Sequence, residues 1–291
     1  MKVEELIVYG KSQVHSDLVK ILLAELLNLN PLELLNHLNE EVDQEKINTF
    51  KQEIKSLKNN KPIQYVLGNV NFYGQKFYIN ENVLIPRFET EELVENTIKY
   101  INKHFTKPID IIDLGCGTGV IGLTLEQKVS TNSVDLIDIS KKALEVTNKN
   151  CGKLNSKANI IESDMFSNVE KKYDVIISNP PYIKTNEEIE EIVKENEPSI
   201  ALYAGEDGLD CYKKILKDIK KHMKEKCLIA FEIGYKQKDD IINLIRKNIP
   251  DVKIEAKKEL KASIDKAYKK GITKEEITEM VDDVLRGGNN N

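Results

Sequence analysis

Asn179-Pro180-Pro181-Tyr182 places two hydrogen-bond acceptors and a flat ring within four positions, a set that suits a planar –NH2 group. The tetrapeptide closes an apolar run, residues 173–178, that reads as a buried strand. Neither proline has an N–H to donate, so the strand ladder stops at Asn179 and the chain leaves the sheet in a stiff shape. The Asn179 carboxamide oxygen and the Pro180 carbonyl are both acceptors. At the C-terminal end of a strand they face the region where open α/β sheets hold their ligands. Two held hydrogens would leave the nitrogen turned to a reaction partner. Taken alone, the same residues also read as a loop opened by an Asn-Pro turn.

A second constellation lies upstream. Residues 109–114 form a short apolar strand, followed by Gly115-Cys116-Gly117-Thr118-Gly119 and then by Val120-Ile121-Gly122, which opens a helix. Glycines in such a loop permit positive φ and let a ligand touch the backbone. Gly117, Gly119 and Gly122 satisfy a dinucleotide-binding spacing, a weak signal by itself. Asp113 stands just before the first glycine, where a carboxylate suits a cation better than a pyrophosphate. S-adenosylmethionine carries an ammonium and a sulfonium and no phosphate.

Residues 133–138 form the next strand and end in Asp138, about twenty residues past the loop, where a carboxylate accepts both ribose hydroxyls. The alternative for Asp138 is a helix N-cap, although Ser140 fills that role as well. Asp164 ends a further strand and is placed to accept the adenine amino group, with Met165 or Phe166 covering the ring; a plain loop acid is the competing reading. Glycine loop, ribose acid, adenine-side acid and Asn-Pro-Pro-Tyr thus close four successive strands. One edge of a parallel sheet can present them all.

In these residues the chain resembles the release-factor glutamine methyltransferases (HemK/PrmC type). The resemblance spans roughly residues 15–256. It includes Pro62-Ile63-Gln64-Tyr65-Val66-Leu67-Gly68, Leu84-Ile85-Pro86-Arg87-Phe88-Glu89-Thr90-Glu91, Glu197-Pro198-Ser199-Ile200-Ala201-Leu202, Gly205-Glu206-Asp207-Gly208-Leu209 and Phe231-Glu232-Ile233-Gly234-Tyr235-Lys236-Gln237. It implies a Rossmann-like class I S-adenosylmethionine-dependent methyltransferase domain, an α/β fold, behind a small helical domain and a β-hairpin connector. It implies cofactor contacts at Gly115, Cys116, Gly117, Thr118, Gly119, Asp138, Met165 and Asn179, to which the residue readings above add Asp113 and Asp164. It implies substrate contacts at Asn179, Pro180, Pro181 and Tyr182; Arg87 is expected as a further substrate contact, and Asn179, Pro180 and Tyr182 as the catalytic residues. The implied partner is a class 1 peptide chain release factor, methylated on the glutamine of its Gly-Gly-Gln motif. The position of Met165 is often aromatic in the family, and Phe88 replaces its usual proline.

Composition agrees. The 291 residues can bury a full core, and two domains are the natural prior. No stretch approaches the roughly 18 apolar residues of a membrane span. Residues 1–5 carry no signal-peptide pattern. Cys116, Cys151, Cys211 and Cys227 are scattered without metal or disulfide spacing, so reduced cytoplasmic thiols are expected. His15, His37, His104 and His222 are as dispersed, and no metal site follows. The net charge of −5 argues against a dedicated nucleic-acid binder. The lysine-rich residues 213–226 read as an amphipathic helix with a solvated face. A monomer is expected.

The expected organisation is a helical docking domain over 1–68, a hairpin connector over 69–86, the methyltransferase domain over 87–256 and a helical tail over 257–291. Asn30 caps a short helix from Pro31 through Leu38. The hairpin pairs Val70-Asn71-Phe72 with Phe77-Tyr78-Ile79 around Tyr73-Gly74-Gln75-Lys76. Thr90 caps a helix through Lys99. Relatives end in a strand hairpin, whereas Thr273-Lys274-Glu275-Glu276 here is a capping box leading an apolar helical stripe, and a last strand near Leu260 is doubtful. Three other functions compete: glutamine methylation of a ribosomal protein, amino-group methylation of adenine or guanine in a nucleic acid, and a non-catalytic docking protein retaining the fold.

Overall fold

Apolar residues at three- and four-residue spacing fold the first part of the chain into α1 (Val3–Lys11), α2 (Ser16–Leu27), α3 (Gln44–Lys58) and α4 (Ile63–Leu67). Their inward faces meet around Leu6, Leu22, Leu23, Phe50 and Ile54. The structure is a computed structural model that describes residues 1–257, so the capping box, the apolar stripe and the doubtful last strand fall outside the described residues. Between α2 and α3 stands only a 3-10 turn, Glu33–Asn36, in place of the helix expected from Pro31. Asn30 Oδ1 accepts from Leu32 N at 3.0 Å and Glu33 Oε2 accepts from Asn30 N at 2.8 Å. These local side-chain bonds close a turn instead of a helix.

The connector is a hairpin of β1 (Asn69–Phe72) and β2 (Gln75–Tyr78). Phe72 pairs with Gln75, so the loop is the two residues Tyr73-Gly74 rather than four. Both have positive φ, 50° and 77°, as the twist of a two-residue hairpin demands. Helix α5 (Phe88–His104) follows, with Arg87 at its N-cap. Thr90 therefore lies inside the first turn and does not cap the helix. Its hydroxyl is committed elsewhere, 2.8 Å from Glu232 Oε2.

From there strands and helices alternate except that β6 follows β5 with no helix between and two helices precede β7: β3 (Ile109–Leu114), α6 (Val120–Lys128), β4 (Thr131–Asp138), α7 (Lys141–Leu154), β5 (Asn159–Glu162), β6 (Tyr173–Ser178), α8 (Glu191–Asn196), α9 (Asp210–His222), β7 (Met223–Phe231) and α10 (Lys238–Asn248). All five strands run parallel in the order β5-β4-β3-β6-β7. Every position of β3 is buried, as the centre of a sheet covered on both faces requires. The chain builds outward from β3 to β5, then returns to lay β6 on the other flank of β3. The topological switch point of this Rossmann-like sheet thus lies between β3 and β6, where ligands bind. The lysine-rich helix is shorter than expected: α9 ends at His222, and Lys224 and Lys226 belong to β7. Its apolar face, Tyr212, Ile215, Leu216 and Ile219, is buried as the pattern implies.

Candidate active site

The ends of β3 and β6 are tied together where the two motifs depart. Ser178 Oγ donates to the Leu114 carbonyl at 2.6 Å. Beyond Leu114, Gly115, Gly117 and Gly119 take φ values of 72°, 55° and 80°, a run that side chains with a Cβ rarely adopt. The loop is held from three sides. Cys116 N donates to the Ile137 carbonyl at 2.8 Å, and Gly117 N donates to Asp138 Oδ2 at 2.9 Å. Fully buried Asn150 donates from Nδ2 to the carbonyls of Thr118 and Tyr78, each at 2.9 Å, linking loop and hairpin.

Asp138 braces the loop and does not cap α7. Its Oδ1 accepts from Ser140 N at 2.8 Å, while Ser140 Oγ caps the helix by accepting from Ala143 N at 3.2 Å. Burial pushes the Asp138 carboxyl up, against the backbone bonds that favour its charge. Each oxygen keeps lone-pair capacity for a hydroxyl.

A cavity of about 340 Å³ opens over this edge. Of the residues expected at the site, it gathers Gly115, Cys116, Gly117, Thr118, Asp138, Asp164, Met165, Asn179 and Pro181 in its lining wall. Nothing stands within 4 Å of a Cβ built on Gly115 or Gly117, so the backbone meets open space there. Asp164 Oδ2 accepts from Lys214 Nζ at 2.8 Å. Met165 holds φ at 50°, an uncommon conformation that presents it beside the cavity. Phe166 turns away, its ring stacked on His222 at a centroid distance of 4.2 Å, so Met165 is the member of the pair that reaches the cavity.

Five expected residues lie outside that wall. Asp113 is fully buried behind the loop: its Oδ2 accepts from Gly122 N at 2.9 Å, while Oδ1 has no partner. Burial pushes its carboxyl up to about 7, opposed by the Gly122 bond and aided by the charge of Asp138. Gly122 itself admits no side chain, since a Cβ would stand 2.3 Å from Leu136 Cδ2. Gly119 begins α6 as its N-cap. Pro180 is buried. Tyr182 packs with the cluster of Leu209, Tyr212 and Ile241, and its carbonyl accepts from Gln237 Nε2 at 3.0 Å. Arg87 pairs with Glu197, Nη2 to Oε1 at 2.5 Å.

Cys116 lines the cavity as a thiol. Burial first, then the charges of Asp113 and Asp138, raise its pKa, which disfavours a nucleophilic thiolate. A larger cavity of about 460 Å³ runs along β7, among Phe105, Ile229, Ile245 and Val252, and none of the expected site residues lines it.

Three residues join the site that the sequence reading did not assign to it. Asn179 Nδ2 donates to Thr90 Oγ1 at 3.2 Å, and Thr90 Oγ1 donates to Glu232 Oε2 at 2.8 Å. Lys214 holds Asp164 from the cavity wall. Thr90 and Glu232 stand inside segments that carry the family resemblance, a signal that points to them. Lys214 has none beyond its place in a row of lysines.

The chain resembles known proteins along most of its length. Residues 12–68 match the PrmC N-terminal domain, and residues 90–197 match the methyltransferase small domain. A release factor glutamine methyltransferase of Bacillus subtilis is 38% identical over 234 residues, covering 78% of this chain and 81% of that protein. The protein of the same name from Bacillus cereus is 36% identical over 242 residues, covering 81% and 86%. That of Streptococcus pneumoniae is 36% identical over 259 residues, covering 88% and 91%. This chain is a methyltransferase, and it belongs to the release factor glutamine methyltransferase family.

Proposed function

We propose that this enzyme transfers the methyl group of S-adenosylmethionine to the side-chain amide nitrogen of the Gly-Gly-Gln glutamine of class 1 peptide chain release factors. The observation that carries this reading is the placement of Asn179 in the lining of the same cavity as the glycine loop, at the switch point, with its amide nitrogen drawn to Thr90. The names of the relatives supply the release factor as partner.

The cavity fits the methyl donor by its chemistry. Asp138 and Asp164 offer carboxylates to a ribose and to an adenine amino group, Met165 offers a side chain to the ring, and the loop offers bare backbone. Asp113, with its buried unpartnered Oδ1 and a carboxyl raised to about 7, stands behind the loop where its ionisation favours a cationic ligand. When bound, S-adenosylmethionine supplies an electrophilic methyl carried on a sulfonium.

An amide nitrogen is a poor nucleophile because its lone pair is delocalised into the carbonyl. Asn179 Oδ1 and the Pro180 carbonyl hold its two hydrogens and turn the lone pair towards the methyl. Pro181 closes the wall beside them, while Tyr182 fixes the turn through its packing and its carbonyl bond to Gln237. Arg87 acts through Glu197 rather than as a direct substrate contact. A new N–C bond forms as the C–S bond breaks, and the nitrogen then releases a proton to solvent. Orientation of this kind is worth up to about 7–11 kcal/mol of barrier.

Incubation with methyl-labelled S-adenosylmethionine and a recombinant release factor, followed by peptide mapping, tests the reading. Label confined to the Gly-Gly-Gln glutamine is expected. Label only on ribosomal proteins, DNA or RNA offered in parallel would overturn it.

A further inference from the structure

We infer that Thr90 and Glu232 form a relay that fixes which way round the Asn179 carboxamide is held, and so makes its oxygen, not its nitrogen, the atom offered to the substrate amide. The inference rests on the reading of Asn179 given above.

It follows from counting protons. Thr90 Oγ1 donates to Glu232 Oε2 at 2.8 Å, and this bond consumes the single hydroxyl proton of Thr90. Thr90 Oγ1 can then only accept from Asn179, which lies 3.2 Å away. Of the two ends of that carboxamide only the –NH2 can donate, so the amide nitrogen must face Thr90. The oxygen is left on the other side, able to accept from a substrate N–H. Flipped by 180°, the carboxamide would set two acceptors against each other at Thr90 and present donors to a substrate amide that also has donors.

The relay is built from rigid parts. Thr90 sits in the first turn of α5 and is almost wholly buried. Glu232 follows β7 directly; its N–H donates to the Ser178 carbonyl at 3.1 Å, and its own carbonyl accepts from Tyr212 Oη at 2.7 Å. The residue that sets the polarity is thereby hydrogen-bonded to the residue preceding Asn179. Thr90 and Glu232 are positioning residues: they act on the substrate through Asn179.

The test is a double-mutant cycle on the full-length enzyme, reading kcat with saturating release factor and the Kd for S-adenosylmethionine by calorimetry. Thr90→Val, which keeps the shape and removes the hydroxyl, is expected to lower kcat by about 10- to 100-fold, less than the loss of a whole preorganised polar contact. Thr90→Ser should restore kcat to within about 3-fold, and the cofactor Kd of the Thr90 single variants should stay within about 3-fold. In the Asn179→Ala background, Thr90→Val should change kcat by less than about 2-fold, because the residue it acts through is gone. Should Thr90→Val fail to fold, Thr90→Ala replaces it with the same expectation. The relay is overturned if Thr90→Val keeps kcat within 2-fold while Asn179→Ala is slow, or if its effect persists unchanged in the Asn179→Ala background. An Asn179→Ala enzyme of normal turnover would overturn the proposed function itself, a separate result.

Discussion

Arg87 Nη2 lies 2.5 Å from Glu197 Oε1, joining the start of α5 to the segment that follows the Asn-Pro-Pro-Tyr turn across 110 residues of sequence. The Glu197 side chain is only 1% exposed, and its second oxygen accepts from Ile85 N at 3.0 Å. The carboxylate is therefore buried on the strength of these two partners. Removing one leaves a charge without compensation.

Arg87→Ala is expected to destabilise the protein by about 2–3 kcal/mol, since it orphans a buried carboxylate while the half-buried arginine loses less. Urea unfolding measures this. Arg87→Ala with Glu197→Gln should recover part of the loss, because the buried charge is then gone from both sides.

Asp113 gives stability a signature in pH. Its folded-state carboxyl, raised by burial from the usual range to about 7, stays protonated where the unfolded chain is ionised. Its contribution is therefore full below about pH 4 and is lost as pH rises through 7. Between pH 6 and pH 8 the native protein should lose about 1 kcal/mol from this group. Asp113→Asn should be flat over that interval, as read by unfolding at each pH. The same ionisation favours a cationic ligand, so affinity for S-adenosylmethionine should rise from pH 6 to pH 8 in the native protein.

At the opposite ends of the strands Asp110 behaves in the other sense. Partial burial opposes its charge, but bonds from Lys171 at 2.8 Å, Lys224 at 2.5 Å and Ser133 at 2.8 Å prevail and hold it at about 2. A depressed carboxyl stabilises above its unfolded pKa and loses that contribution as pH falls towards 2. Asp110→Asn should cost about 1 kcal/mol at pH 7, reduced by the exposure of both lysines, with the gap closing between pH 4 and pH 2. No effect on kcat is expected, because this network stands away from the cavity.

The strands that carry the site were legible because their signals are local. Apolar runs ending at Leu114, Asp138, Glu162 and Ser178, each followed by residues unable to extend a ladder or suited to a turn, mark β3, β4, β5 and β6 and their order along one edge. Side-chain partnerships across distance left no such mark. Thr90 reads as a helix cap because threonine before acidic residues usually is one, whereas here its hydroxyl serves Glu232 and Asn179, 142 and 89 residues further on. Tyr182 reads as a ring beside the acceptors, yet the apolar cluster under α9 and α10 claims it. Lys214 resembles its solvated neighbours until α9 is laid against Asp164.

The most direct measurement is a crystal structure of the enzyme with S-adenosylhomocysteine and a Gly-Gly-Gln peptide. The expected result places the sulfur over the glycine loop and the glutamine amide nitrogen within hydrogen-bonding distance of Asn179 Oδ1 and the Pro180 carbonyl, with Asn179 Nδ2 still on Thr90. A sulfur bound away from Asn179, or a glutamine amide held by other residues, would contradict it.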